Sequence, residues 1–398
     1  MLNRSRKTDP QAPRPAPAPR WASPLSVVAL CIAVAAIGTA EITRWSKARS
    51  EARSPARIET AAAGELTLTK VSEDLIPMPA GVPSAHASTL AALPGNGLLA
   101  FWWAGSRESG PDVKVYTSRL SNGKWTASRE VASRESLGAA LGFGVRRIGN
   151  PVAWTDRNGK VHLYVVATGL GGWAASRIVH LVSTDLGEHF GVLRVLPLSP
   201  MFNSSALIRT TPVALADGGW WLPVYFELGV KYPMLMAFDE HGDPRWISRI
   251  GARTASLQPA VVATSATEAH AWMRDAGGQH RVQHAVSHDA GASWQDQAPL
   301  DMANYNSSVA ATRLSRGGTL MLRNYVPEGG SGRNVLRLAM STDALAWKDL
   351  LDVAKGAEDE EFSYPALQQV GDEVHITYTS RRQAIAHHVY RISYGGDM

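Results

Sequence analysis

SHDAGASW, Ser287 to Trp294, is the stretch from which the fold is read. Its pattern is S-x-D-x-G-x-x-W. An Asp can bond the backbone that follows it, a Gly can take positive φ, and a Trp returns to cover the turn. STDLGEHF (Ser183 to Phe190) repeats it with Phe for Trp, and STDALAW (Ser341 to Trp347) is a shorter form without the Gly. SRLSNGKW (Ser118 to Trp125) and DEHGDPRW (Asp239 to Trp246) read as decayed copies. The three clear copies begin at 183, 287 and 341, two periods and then one of roughly 50 residues.

A second repeat shares this period. Turn-plus-strand stretches begin at Leu93 (LPGNGLLAFWW), Asp156 (DRNGKVHLYVV), Leu215 (LADGGWWLPVYF), Thr264 (TSATEAHAWMR), Leu314 (LSRGGTLMLRNY) and Val370 (VGDEVHITYT). Each turn leads into β-branched or aromatic residues, as strands do. Six such hairpins predict an all-β, six-bladed β-propeller over residues 65–398. Such a ring accommodates this length because each blade packs only on its neighbours. The ELTLTKV stretch at Glu65 is expected to close the ring beside HHVYRISY, which begins at His387.

The first sixty residues have another composition. Residues 1–20 form a basic Pro/Ala-rich tail, which reads as disordered. Trp21 to Ala40 carries no charge and is long enough to span a bilayer core. It is read as a transmembrane or signal-anchor helix over 21–42, with cleavage after Gly38 to Ala40 as the alternative. A linker follows over 43–64. Five basic residues precede the apolar segment and five follow it, so charge does not orient it. The expected location is a bacterial inner membrane, single-pass, with the propeller in the periplasm; secretion after cleavage is the alternative. The single Cys, Cys31, lies inside the apolar segment, so the propeller needs no disulfide.

Residues 1–60 hold ten Lys/Arg and four Asp/Glu, so the rest of the chain carries a net charge of −1. That excludes a nucleic-acid footprint on the main domain. Neither a phosphate-binding Gly loop, a His/Cys metal spacing nor a Gly-x-Ser-x-Gly elbow is present, so no metal or cofactor is expected.

From SAHASTLAALPGNGLLAFWWAGSRESGPDVKVY through HAWMRDAGGQHRVQHAVSHDAGASW and GRNVLRLAMSTDALAW to FSYPALQQVGDEVHITYTSRR, the chain resembles the sialidase (neuraminidase) superfamily, in its BNR-repeat, sialidase-like branch. The resemblance implies a site on the propeller axis. There three arginines hold a substrate carboxylate, a Tyr–Glu pair supplies the nucleophile, and an Asp is the acid/base. Arginine suits the grip because its planar fork bonds a carboxylate bidentately. By motif, Arg274 and Arg333 match substrate-binding arginines and Tyr364 matches the nucleophile.

The chain departs from that pattern at two places. His86 stands where an arginine is expected and Gln258 where the glutamate partner of the tyrosine is expected. A glutamine takes no proton, so Glu361 and Glu227 are the candidate substitutes. Glu108 and Asp112 are the candidate acid/base residues, with Arg107 beside them as an anion ligand. Asn150, Asn306, Arg382 and His387 follow the sialidase-like branch, as ligands of the substrate or as hydrogen bonds between blades. Trp102, Trp103 and Trp173 are candidates for stacking on a sugar, with core packing the plainer role.

The expected partner is an acidic glycan or polysaccharide. Three functions remain open. The first is an exo-glycosidase removing a sialic-acid-like or uronic sugar. The second is a lyase or hydrolase of uronic-acid polymers using a His or Tyr base. The third is a propeller that binds carbohydrate without turnover.

Overall fold

Short strands with buried, β-branched and aromatic residues assemble into six antiparallel sheets in the computed structural model, which describes residues 23–50, 54–58, 65–198, 203–327, 330 and 332–395. The 1–20 tail and part of the 43–64 linker lie outside these residues. Each sheet is a blade. The innermost strands, in blade order, are Ser84–Leu93, Arg147–Thr155, Ala206–Ile208, Ser256–Ala263, Ala310–Arg313 and Phe362–Val370. Blades 1 and 2, 2 and 3, 3 and 4, 4 and 5, 5 and 6, and 6 and 1 touch through these strands or the strand next to them, closing a six-bladed ring. In the sixth blade Leu66–Leu75 pairs antiparallel with Ala384–Tyr394, so the first and last strands of the ring share one sheet.

All six turn-plus-strand stretches fall between the first and second strands of a blade. All five S-x-D-type stretches fall between the third and fourth. The sixth blade has none because its third and fourth strands come from opposite ends of the chain. In the Ser287 turn, the Ser287 hydroxyl donates to Asp289 at 3.0 Å and accepts from the Gly291 N–H at 2.9 Å. Asp289 accepts from the Ser293 N–H at 2.8 Å, and the Trp294 indole donates to the Gly291 carbonyl at 3.0 Å. The Ser183 turn repeats the first two bonds, Ser183 to Asp185 at 2.6 Å and Gly187 to Ser183 at 2.8 Å. These turns lie at one end of the ring. The second-to-third-strand turns and the connections between blades lie at the other, called here the mouth.

Large side chains fill the spaces between blades. Trp220 is fully buried, stacks on Phe238 at 5.3 Å, and donates its indole N–H to Tyr164 at 2.9 Å. Blades 2, 4 and 6 each bury a histidine pair across their second and third strands: His162–His180 at 2.9 Å, His270–His284 at 3.0 Å and His375–His387 at 3.0 Å.

One apolar helix, Pro24–Ser50, precedes the propeller, and its Pro24–Arg44 portion is long and apolar enough to cross a membrane. The helix is compatible with a signal anchor or a signal peptide. It runs eight residues past position 42, so the start of the expected linker is helical. Residues 54–58 are docked rather than free. Ala56 is buried and bridges Leu215, and the Arg57 N–H donates to the Ala214 carbonyl at 3.0 Å.

Candidate functional site

The mouth is built by a defect repeated in the innermost strands. One extra residue interrupts the ladder between His86 and Thr89, Gly149 and Pro151, Leu257 and Ala260, and Ser363 and Ala366. Such bulges re-aim side chains. Ala87, Gln258 and Tyr364 within them take positive φ, 56°, 52° and 53°. That conformation costs a non-glycine residue about 1–3 kcal/mol and persists only where surrounding contacts enforce it. Pro151, Pro259 and Pro365 follow the bulged Asn150, Gln258 and Tyr364. A proline suits this place because it has no N–H to leave unpaired.

These strands surround a cavity of about 330 Å³. Tyr364, Arg274, Gln258, Asn150, Glu108 and Glu227 supply its polar wall, and Trp103 and Trp173 contribute aromatic surface. Gly149 makes room for Trp173, since a Cβ there would stand 3.0 Å from the indole ring. Arg274, at the end of Ala269–Asp275, donates to the Tyr364 hydroxyl at 3.3 Å and to the side-chain amide oxygens of Gln258 at 3.4 Å and Asn306 at 2.6 Å. All three acceptors are neutral. Gln258 in turn donates to the Tyr225 hydroxyl at 3.4 Å, and burial raises the Tyr225 phenol above its ordinary range.

Around this cavity runs a chain of opposite charges. Arg333 donates to the Asn306 backbone carbonyl at 2.7 Å and to Glu361 at 3.2 Å. Arg382 donates to Glu361 at 2.6 Å and to Glu108 at 2.7 Å. Burial works against the Glu361 charge, but Arg382, Ser363 and Arg333 together hold its carboxyl down at about 2. Glu361 is therefore an ionised partner of two arginines. Its bonds go to them and to the Ser363 hydroxyl, and none is made to Tyr364, for which it was a candidate base. Glu227 lines the cavity and pairs with Lys231 at 3.3 Å.

The other expected residues divide. His86 is buried, with its ring 4.2 Å from that of Tyr364 and 5.3 Å from that of Trp103. Burial, reinforced by Arg382, lowers it to about 3, so the imidazole is neutral, and neither ring nitrogen has a protein partner. Asp112 is taken up by its own loop, accepting from the Ser106 N–H and hydroxyl, both at 2.7 Å; it does not line the cavity. Arg107 is exposed beside that loop and does not line the cavity either. His387 lies away from the mouth. It is buried between His375 and the Trp125 indole, which donates to it at 3.1 Å, so it packs blade 6 on blade 1. Trp102 is fully buried and alternates with Trp103 along its strand, which sends only Trp103 to the cavity.

Two residues at the site escaped the sequence. Tyr225 reads as one more aromatic of a strand. Arg209 is buried, donates to the carbonyls of Ser88 at 3.1 Å and Pro365 at 2.8 Å, and sits 5.3 Å from the Tyr364 ring centre. Burial lowers it to about 10, so it remains charged at neutral pH. It braces the Tyr364 bulge from beneath.

The arrangement offers an arginine without a carboxylate partner among the described residues, a phenol it touches, and an aromatic wall. That set suits an anionic ring compound. The pattern of the BNR repeat-like domain family matches residues 96–376. Among solved structures, a protein of unknown function from Dyadobacter fermentans is similar at 15% identity and TM-score 0.65, over 82% of this chain and 99% of that one. The Trypanosoma rangeli sialidase in complex with sialic acid is similar at 15% identity and TM-score 0.60, over 83% of this chain and 59% of its own. The intramolecular trans-sialidase from Ruminococcus gnavus is similar at 13% identity and TM-score 0.60, over 80% of this chain and 96% of its own. Among curated proteins none matches. Family match, six blades and repeated turns agree: the chain belongs to the BNR repeat-like domain family, on the sialidase-like propeller fold.

Proposed function

We propose that the cavity takes the terminal acidic sugar of a glycan and that the protein is an exo-acting, sialidase-like glycosidase held at a membrane by residues 24–44, with the propeller on the periplasmic side. One observation carries this reading. Arg274 lies in the cavity with only neutral partners, 3.3 Å from the Tyr364 hydroxyl, so a sugar carboxylate bound there would set the ring against that oxygen. Tyr364 is then the attacking group, Glu227, the cavity carboxylate free of an arginine, takes the phenol proton, and Glu108, once protonated and released from Arg382, gives its proton to the leaving oxygen. A phenol suits an anionic substrate because it does not repel it as a carboxylate would.

Binding without turnover is the second reading. Gln258, which cannot accept a proton, and the two arginines engaged by Glu361 favour it. The test is a panel of sialyl and uronic glycans offered to the full chain, following released sugar and unsaturated products, with Tyr364→Phe alongside. Hydrolysis that Tyr364→Phe abolishes while binding persists supports the proposal. Unsaturated products point instead to a lyase. Binding with no product supports the second reading, and near-full activity of Tyr364→Phe with loss in His86→Ala overturns the tyrosine mechanism.

A further inference from the structure

We infer that the mouth face of the propeller is held against the bilayer surface, so that the cavity opens toward glycans carried by the membrane itself. The inference rests on reading residues 24–44 as a retained span.

The path of the chain sets the orientation. Arg44, at the end of the apolar portion, donates to the Leu198 carbonyl and pairs with Glu41 at 2.6 Å. Leu198 belongs to the connection between blades 2 and 3, at the mouth end. The charges of Arg44 and Glu41 also act on Tyr232, which lies near the mouth-end start of Val230–Phe238. The chain then travels the height of blade 3. Residues 55–57 are fixed at the opposite end, where Pro55 accepts from the Ala216 N–H at 2.9 Å and the Ala56 N–H donates to Ala266 at 3.1 Å. The helix thus arrives at the mouth end and leaves toward the other. Its apolar portion, unburied by the propeller, extends on the mouth side.

The surface at that end fits a bilayer independently of the helix. Leu170, Leu228 and Val230 occupy the second-to-third-strand turns of blades 2 and 3, and are 81%, 51% and 50% exposed. Arg146, Arg147 and Arg177 are exposed at the same end of blade 2, and none pairs with a carboxylate among the described residues. Apolar tips beside unpaired arginines are what an interface of acyl chains and anionic headgroups holds. Tyr232, two residues along the strand from Val230, feels the charges of Arg44 and Glu41, so the blade 3 tip and the end of the span share this side of the propeller. A substrate reaching the cavity is therefore presented from the membrane, as the headgroup of a lipid or a chain attached close to the surface.

The experiment uses the full chain with Cys31→Ala, reconstituted in vesicles of phosphatidylcholine and phosphatidylglycerol that carry a lipid-borne nickel chelate. Nitroxides are placed through Leu170→Cys and Leu228→Cys at the mouth, and through Asn158→Cys and His241→Cys at the opposite end, about 25 Å away for strands of this length. Strong relaxation enhancement at 170 and 228, with little at 158 and 241, is expected. Equal enhancement at all four, or the reverse order, overturns the orientation. An alkaline carbonate wash of native membranes separates the two failures. If it releases the protein, or if the purified N-terminus begins near Ala40, the retained span fails and the inference with it. Protein that resists the wash but shows equal enhancement sinks the orientation alone.

Discussion

The two ends of the propeller use one architecture in opposite ways. Away from the mouth, the same turn recurs with the same residues: Ser, Asp and Gly at 183, 185 and 187, and again at 287, 289 and 291. At the mouth the backbone device also recurs, a bulge in the innermost strand, but its residues differ: Ala87, Asn150, Gln258 and Tyr364. Repetition of residues reports the fold. Repetition of backbone with divergent residues reports the site, because each blade there offers a different group to one shared cavity.

Scaffold changes should therefore alter stability and leave binding intact, and mouth changes the reverse. The largest expected effect is in the repeated interior. Trp220→Ala removes a fully buried ring stacked on Phe238 and leaves the Tyr164 hydroxyl without its donor. It should cost about 3–5 kcal/mol in urea unfolding while the folded fraction still binds ligand. A cost under about 1 kcal/mol would mean the blades do not depend on this packing.

The histidine pairs should give a pH effect. Burial lowers all six; His284 is held at about 4 and His387 at about 3. An unfolded histidine protonates near 6.5. Below that pH the unfolded chain binds protons that the folded one refuses, so this stability is present above about 6.5 and is lost as pH falls toward the folded values. Asp156 and Glu268, beside His162 and His270 at 3.4 and 3.3 Å, oppose the shift in part. Melting curves should therefore drop steadily from pH 7 to pH 5, with a shallower drop in His284→Gln. A flat profile over that range contradicts the assignment.

The smallest effect is in one turn. Asp289→Ala removes acceptors for the Ser293 N–H at 2.8 Å and the Ser293 hydroxyl at 2.7 Å, for a loss of about 1–2 kcal/mol. Ligand affinity should be unchanged; a tenfold fall would join the far end to the site.

Legibility follows the same division. The turns at Ser287 and Ser183 and the six hairpins were readable because each is local: a few residues fix the bonds. Arg274, Tyr364, Gln258 and Glu108, which line the cavity, were readable from the motifs on which the family resemblance rests. Arg209 was not, because its role is made by Ser88 and Pro365, which belong to other blades. Asp112 and Glu361 misled for a related reason. A carboxylate near a tyrosine or an arginine in sequence looks free, yet one caps Ser106 and the other joins Arg333 to Arg382. Asn-Pro, Gln-Pro and Tyr-Pro at 150, 258 and 364 were the unused local signal. Three prolines at one place in the repeat mark bulges, and hence the residues turned to the axis.

Whether Arg274 grips an acidic sugar is read by calorimetric titration of an acidic monosaccharide into the full chain and into Arg274→Ala and Arg274→Lys. Binding should weaken ten- to a hundredfold in Arg274→Ala, about 1.5–3 kcal/mol for one charge-assisted contact, and recover only in part in Arg274→Lys, with melting curves unchanged. Equal affinity in all three, or tighter binding of the uncharged sugar than of the acid, would contradict it.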